Sequence, residues 1–384
     1  MIESSREGNT VIFTFPDRIT YETAGLIQEE IDSELARCEA TDEIVADFAL
    51  VQYISSAGLR VILKLAKATC NFSVINATSE VFEVFEVTGM AQMIDVSKKM
   101  RQISVANAVQ IGSGYFSRVY RLDNDSIVKV IVQDVSIKDI KRELKLAKQA
   151  FVMGIPTAIS YDIVKVDEHY GVVFELLDCD TLLEAFTKHP EKYEYYIKAY
   201  VELLKILAST KVTDDTIPEA YGIAMDKLAF LSDLITQEEY DYVERVLNSI
   251  PREDTYVHGD CHFKNIMTSN DELLLIDMDT VSKGSALFEL SFMYSTYIIF
   301  SEVDPGNSLR FFGVEPEMTQ NIMQEILKGY YAELDDGEYA RTVDLIRFLA
   351  IFHNLFFFAK YKPDSKACYE RGYKLFREQM SKLI

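Results

Sequence analysis

The sequence predicts an α/β unit, a sheet with helices, followed by a larger α+β unit of two lobes. Three observations carry this. Strands and helices alternate over the first hundred or so residues; the pattern restarts near residue 104 with a glycine-turned β segment; and from Asp180 onward the apolar spacing is mostly helical. A chain of 384 residues also exceeds one ordinary domain. The expected boundaries are 1–103 for the first unit and 104–384 for the second, with lobes of about 105–177 and about 178–384.

In order, Val11 to Phe15 reads as a strand ended by Pro16, and Thr20 to Ala36 as a helix with Ala24, Ile27, Ile31 and Leu35 on one stripe. Glu43 to Phe48 is a second strand, leading through Tyr53-Ile54 and Ser55-Ser56-Ala57-Gly58 into a helix over Leu59 to Ala68. Phe72 to Asn76 is a third strand, Ser79 opens a short helix reaching Gly89, and Met93 to Val96 is a last short strand. A serine between a strand and an apolar helix is the usual N-cap, and the same place suits an added phosphate, because backbone N–H groups and the helix dipole favour negative charge there.

In the second unit, Ile111 to Leu122 is hairpin-like with glycines at its turn, and Ser126 to Ile131 is a strand carrying Lys129. Small residues in such a turn let backbone amides approach phosphate oxygens. A helix opened by Ser136, with Asp139 three residues on, carries Glu143, which can pair with Lys129 or with basic neighbours on its own helix. Val172 to Leu177 reads as a buried strand leaving one lobe. Helical stripes follow over Thr181–Thr187, Lys192–Ala208, Met225–Leu247, Met318–Leu334 and Glu338–Ile384.

The stretch most loaded with chemistry is His258-Gly259-Asp260-Cys261-His262-Phe263-Lys264-Asn265, followed by Leu275-Ile276-Asp277. It sets an Asp, an Asn five positions later and a second Asp seventeen positions after the first, at the end of an apolar run. Phosphoryl transfer needs such parts: a carboxylate to orient a hydroxyl and accept its proton, and two oxygen ligands to hold Mg²⁺ against nucleotide phosphates. Asp279 adds a carboxylate that is either a second metal contact or a solvated loop residue. Zinc at His258, Cys261 and His262 lacks a fourth ligand nearby and matches no common spacing.

Composition excludes several classes. Apolar residues make up 48%, ample for real cores. The formal charge of −22 argues against a nucleic-acid surface, which needs clustered Lys and Arg. The five cysteines are scattered without a CxxC pair and read as reduced thiols. The N-terminal stretch Met1 to Arg6 has no apolar h-region, so no signal peptide is expected, and the run from Leu349 to Ala359 is shorter than a membrane span. These features together predict a cytoplasmic protein.

Over residues 8–103, and most specifically at Asp47 to Arg60, the chain resembles the STAS family of anti-sigma factor antagonists. The resemblance implies a protein partner for this unit and a phosphorylatable serine at Ser56, with Ser55 where an Asp is often found. Residues 105–384 resemble the aminoglycoside phosphotransferase family, the small-molecule branch of the protein-kinase-like fold that includes choline and methylthioribose kinases. Ordered matches at the glycine loop, Lys129, Glu143, His258-Gly259-Asp260, His262, Asn265 and Ile276-Asp277 carry it. It implies Asp260 as catalytic base and Asn265 and Asp277 as Mg²⁺ ligands. ATP would be bound by Gly112, Gly114, Ser117, Lys129, Glu143 and the backbone of Glu175 to Leu177, with a small-molecule hydroxyl as acceptor. Phe263-Lys264 replaces a common Pro-Gly, and Glu289-Leu290 a usual Asp-Leu. Two rival expectations are a partner switch, in which the kinase-like unit phosphorylates a STAS serine, and a non-catalytic scaffold that senses nucleotide.

Overall fold

The computed structural model describes residues 2–38, 43–69, 71–113, 117–133, 135–177, 179–269 and 272–383. The chain forms two compact units, Met1–Ile103 and Ser104–Ile384.

In the first unit a five-stranded sheet is ordered Glu3–Glu7, Thr10–Thr14, Glu43–Asp47, Asn71–Ala77, Asp95–Lys98, its first pair antiparallel and the rest parallel. Helices Tyr21–Leu35, Ser56–Ala68 and Ser79–Val87 make the crossovers. The stripe on the first helix buries Ala24, Ile27 and Ile31. Burial closes around Phe15, Phe48 and Phe85, whose ring centroids lie 5.1 and 5.9 Å apart in succession. Gly58 is forced by close approach, since a Cβ there would sit 2.6 Å from Ile19 Cγ2 and 2.8 Å from Ile54 Cγ1. The last strand begins at Asp95, later than the alternation suggested, because Met90–Gln92 is a single 3₁₀ turn.

In the second unit five strands pair antiparallel in the order Ser160–Val166, His169–Glu175, Ser126–Ile131, Ser117–Arg121, Gln110–Ser113. Lys129 therefore sits on a central strand, opposite Val119 and Val172, while Val128 and Val130 are buried on the other face of the pleat. Helix Ile137–Val152 is capped by Ser136, whose side chain accepts from the Asp139 amide. Beyond Leu177 the unit is helical around two small sheets, one of Asp180–Thr181, Ile266–Ser269 and Glu272–Leu275 in that order and one pairing Tyr256–Val257 with Ser282–Lys283.

Two helical readings need correction: Glu338–Ile384 is two helices, Asp336–Tyr361 and Lys366–Leu383, because Pro363 cannot continue the first. Met225–Leu247 is two helices, Ala220–Leu231 and Gln237–Ser249, because Thr236 and Glu239 form a capping box that starts the second. Helix Asp336–Tyr361 is long and apolar enough to cross a bilayer by length and composition, with a mean hydropathy of 1.5 over its most apolar window. Of that window 56% is buried within the protein, and Ile346, Phe348, Ile351, Phe352 and Leu355 belong to the unit's core.

Candidate active site

Glu143 reaches Lys129 from helix Ile137–Val152, and the turn after Glu272–Leu275 brings Asp277 to the same lysine. Lys129 Nζ lies 2.8 Å from Glu143 Oε1 and 2.7 Å from Asp277 Oδ1. Burial opposes the Lys129 ammonium, but the Asp277 and Glu143 carboxylates outweigh it and hold its pKa above the ordinary value. Burial likewise works against charge on Asp277, and Lys129 overcomes it, so Asp277 titrates below the usual range. Asp277 is held at φ +70°, a left-handed conformation uncommon outside glycine, fixed by the Ile276 amide donating to the Asn265 carbonyl at 3.0 Å.

The loop from His258 to Asn265 is tied down from several sides. His258 Nε2 donates to the Ile276 carbonyl at 3.2 Å, and its Nδ1 accepts from the Asp260 amide at 3.3 Å. With both nitrogens so used, the ring is neutral; burial pushes its pKa down to about 4. His258 therefore has no free nitrogen for zinc, and among the described residues no group of three or more His, Cys, Asp or Glu is placed to hold a metal ion. Gly259 adopts φ +82°, and a Cβ there would sit 2.8 Å from the Thr280 carbonyl oxygen, so the turn admits only glycine without displacement. Thr280 Oγ1 donates to the His258 carbonyl at 2.7 Å.

Asn265 Nδ2 donates to Asp260 Oδ2 at 2.9 Å and to the Asp260 carbonyl at 3.1 Å, which leaves Asn265 Oδ1 as an acceptor. Burial, then the nearby Asp277 and Asp279 carboxylates, raise the Asp260 pKa well above the ordinary value. Asp279 is raised to about 7, by burial first and Asp277 second. His262 Nε2 is 3.6 Å from Asp260 Oδ1, and the ring stands edge-on to Phe311 and Phe312.

This oxygen-rich recess holds more carboxylate than its single lysine compensates. It fits magnesium, which takes one or two carboxylates and completes its shell with water and phosphate rather than with an all-protein cage. Asp277 and Asn265 Oδ1 are the atoms suited to hold it.

The remaining expected residues fall on the sheet. Gly112 lies in strand Gln110–Ser113, opposite Val119, and Ser117 is the buried first residue of the next strand. Gly114 lies outside the described residues. At the hinge the Glu175 amide donates to the Ile159 carbonyl at 2.9 Å, the Glu175 carboxylate accepts from the Ile159 amide, and the Leu176 amide donates to the Asp125 carbonyl. Leu177 follows, half-buried. In the first unit Ser55 is the N-cap, accepting from the Gly58 amide at 3.3 Å, and Ser56 is exposed in the first turn.

Sequence reasoning noted Glu289 only as a replacement. It is buried, and its Oε2 accepts from the amides of His258 and Gly259, the latter at 3.1 Å, so it anchors the loop that carries Asp260. Burial raises its pKa to about 7. An acidic residue one turn into a buried, otherwise apolar helix was the available signal.

With this geometry in hand, comparison with known proteins is decisive at the level of family. The profile of the phosphotransferase enzyme family matches residues 107–312. The chain belongs to that family. The STAS domain profile matches residues 1–103, so the phosphotransferase unit follows a STAS domain. No curated protein matches the chain by sequence. Similar solved structures include a thermostable mutant of the aminoglycoside phosphotransferase APH(4)-Ia in ternary complex with ADP and hygromycin B. It is 10% identical, with 71% of this chain and 94% of that one covered at a TM-score of 0.50. The ADP-bound aminoglycoside phosphotransferase APH(2'')-Ib is 16% identical over 79% of this chain and 99% of that one, TM-score 0.50. A choline/ethanolamine kinase family protein from Mesorhizobium loti is 14% identical over 72% of this chain and 92% of that one, TM-score 0.47. At these identities the likeness to APH(4)-Ia and APH(2'')-Ib is one of fold.

Proposed function

We propose that the phosphotransferase unit moves the terminal phosphoryl group of Mg·ATP to a hydroxyl of a small molecule. The carrying observation is the single ammonium of Lys129, bound at once to Glu143 at 2.8 Å and Asp277 at 2.7 Å, in one unit with the Asp260–Asn265 pair. In this reading Glu143 holds Lys129 in place and Lys129 grips the nucleotide phosphates. Gly112, Gly114 and Ser117 cover those phosphates, and the hinge from Glu175 to Leu177 holds the base. Asp260 Oδ2 is engaged by Asn265, which leaves Oδ1 to orient the acceptor hydroxyl and take its proton as the new O–P bond forms. The bond to the ADP oxygen breaks with its electron pair leaving on ADP. A magnesium ion held by Asn265 and Asp277 would neutralise phosphate charge. The upward shift of the Asp260 pKa suits a group that must accept a proton.

The test is Asp260→Ala, which should abolish transfer yet leave Mg·ATP affinity nearly intact, because positioning and proton acceptance are separate from nucleotide binding. Undiminished transfer by this variant removes the role.

A second reading has its own support: Ser56 is exposed while Ser55 does the capping, so an added phosphate at Ser56 would not cost the helix its cap. Here the phosphotransferase unit phosphorylates a STAS serine, in this chain or in another protein. Intact-mass measurement after incubation with Mg·ATP tests the self-directed version. A wild-type gain of one phosphate that Ser56→Ala abolishes supports it, and no gain, or one that Ser56→Ala leaves in place, removes it.

A further inference from the structure

Two phenols lie against the middle of the loop that carries both Asp260 and Asn265. The Phe263 amide donates to Tyr297 Oη at 2.8 Å, Tyr200 Oη donates to the Cys261 carbonyl, and the two phenolic oxygens are 3.0 Å apart. Hydrogen-bond arithmetic fixes the direction. A carbonyl only accepts, so the Tyr200 proton is committed to Cys261; a backbone amide only donates, so the Tyr297 oxygen receives Phe263. The one remaining proton, on Tyr297, must point at the Tyr200 oxygen. The chain thus runs one way, from the Phe263 N–H through both hydroxyls to the Cys261 carbonyl, and each of its four members is satisfied.

The surroundings make this expensive to lose. Cys261, Phe263, Tyr200 and Tyr297 are each no more than 1% exposed, so water cannot stand in for a missing partner. Burial raises the pKa of both phenols well above the ordinary value, which keeps both protons in the chain. Tyr297 itself is held in an unusual way. It lies in a π-helical stretch, Ser295–Ile299, its carbonyl accepts from Thr319 Oγ1 at 2.7 Å, and its ring stacks on Phe263 at 4.8 Å.

We infer that Tyr297 and Tyr200 are positioning residues for phosphoryl transfer, acting as one hydrogen-bonded brace. The brace spans Cys261 to Phe263 and thereby sets the separation of Asp260 from Asn265, which flank it in sequence. This rests on the phosphotransfer reading, and it goes beyond that reading by assigning geometric control of the loop to side chains that touch neither substrate nor metal. Because Lys129, Glu143 and the hinge lie on the other lobe, loosening the brace should slow turnover more than it weakens the hold on nucleotide, in which Asn265 would share only through magnesium.

The experiment uses the full chain as wild type, Tyr297→Phe, Tyr200→Phe and the double variant. Hydrogen exchange resolved to single residues across 258–266 is read alongside ADP release from Mg·ATP, with water as acceptor. Tyr297→Phe strands the Phe263 amide, so its exchange should quicken by about tenfold or more and kcat should fall by a similar factor, with the KM for ATP moved by less than kcat. Tyr200→Phe should lower kcat while leaving the Phe263 amide protected, since Tyr297 still accepts from it. The double variant should be no slower than Tyr297→Phe alone, because a broken chain cannot be broken twice.

Unchanged exchange at Phe263 in folded Tyr297→Phe overturns the inference, as do losses in kcat that multiply in the double variant. Should circular dichroism show Tyr297→Phe unfolded, Tyr200→Phe decides: undiminished kcat there overturns it too. A wild type that releases no ADP with water or with any of a panel of small-molecule alcohols sinks the phosphotransfer reading instead, and the exchange data still judge the brace.

Discussion

Lys129→Met is the sharpest probe of the electrostatics at the cleft. The side chains of Lys129 and Glu143 are only 19% and 13% exposed, whereas that of Asp277 is 37% exposed. Removing one partner of a largely buried pair strands the other at a cost of about 3–5 kcal/mol. The Asp277 contact is screened by solvent and contributes about 0–1 kcal/mol. Lys129→Met should therefore cost the second unit about 3–5 kcal/mol, nearly all of it from Glu143 left charged and unpaired. Glu143→Gln on that background removes the stranded charge and should recover about 2 kcal/mol, leaving a neutral amide to be satisfied. Urea denaturation followed by far-ultraviolet circular dichroism is the assay, because the chain has no Trp to report by fluorescence. If single and double variants unfold at the same midpoint, Glu143 is not held by Lys129 and the assignment of this ion pair is wrong.

Other expectations follow from the same geometry. Asp260→Asn, which keeps the shape but not the base, should slow transfer by about 10²–10⁴-fold, measured as product per turnover, with ATP affinity little changed. Gly259→Ala should cost at least about 1–2 kcal/mol in unfolding experiments, since the residue is at φ +82° and the new Cβ meets the Thr280 carbonyl oxygen. Buried His258 and His262 are both held down to about 4 while an ordinary imidazole titrates near 6.5, so as pH falls the unfolded chain binds protons first. Their contribution to stability therefore rises from pH 4 to 6.5. Glu289 and Asp279, both raised to about 7, tilt the other way, so the rise should be steeper in Glu289→Gln; equal slopes would count against the Glu289 placement. In the STAS domain Ser55→Ala should cost about 1 kcal/mol through its lost cap, and Ser56→Ala less than about 0.5 kcal/mol. The reverse order in thermal melts would exchange the roles of the two serines.

Much of this was legible because the chemistry is written in short, local spacings. His258-Gly259-Asp260, Asn265 and Asp277 lie within twenty residues, and the turn pairing Asn265 with Ile276 folds that stretch back on itself. Lys129 and Glu143 were harder. Each alone is a charged residue on an ordinary element, and only the sheet order puts them in contact. Strand Glu3–Glu7 left no trace: every residue in it is exposed, so no alternation marks it, and its place comes from pairing with Thr10–Thr14. The break in Met225–Leu247 did leave a signal, Thr236 three residues before Glu239, overridden by the apolar stripe running through both helices. Tyr297 was illegible, because its value lies in a backbone amide about thirty residues upstream, and Glu289 stood out as an acid in an apolar helix without any pattern naming the loop it holds.

Helix Asp336–Tyr361 has a consequence for biogenesis. It packs against Ala220–Leu231, Ala286–Tyr294 and Lys366–Leu383, and so supplies the post around which the helical lobe assembles. On the ribosome, the STAS domain can close as soon as about its first hundred residues emerge. The Asp260 loop, already translated, must wait for residues beyond 340 before its own lobe has a centre, and during that interval the apolar faces that will pack on this helix stay open to whatever chaperone is at hand.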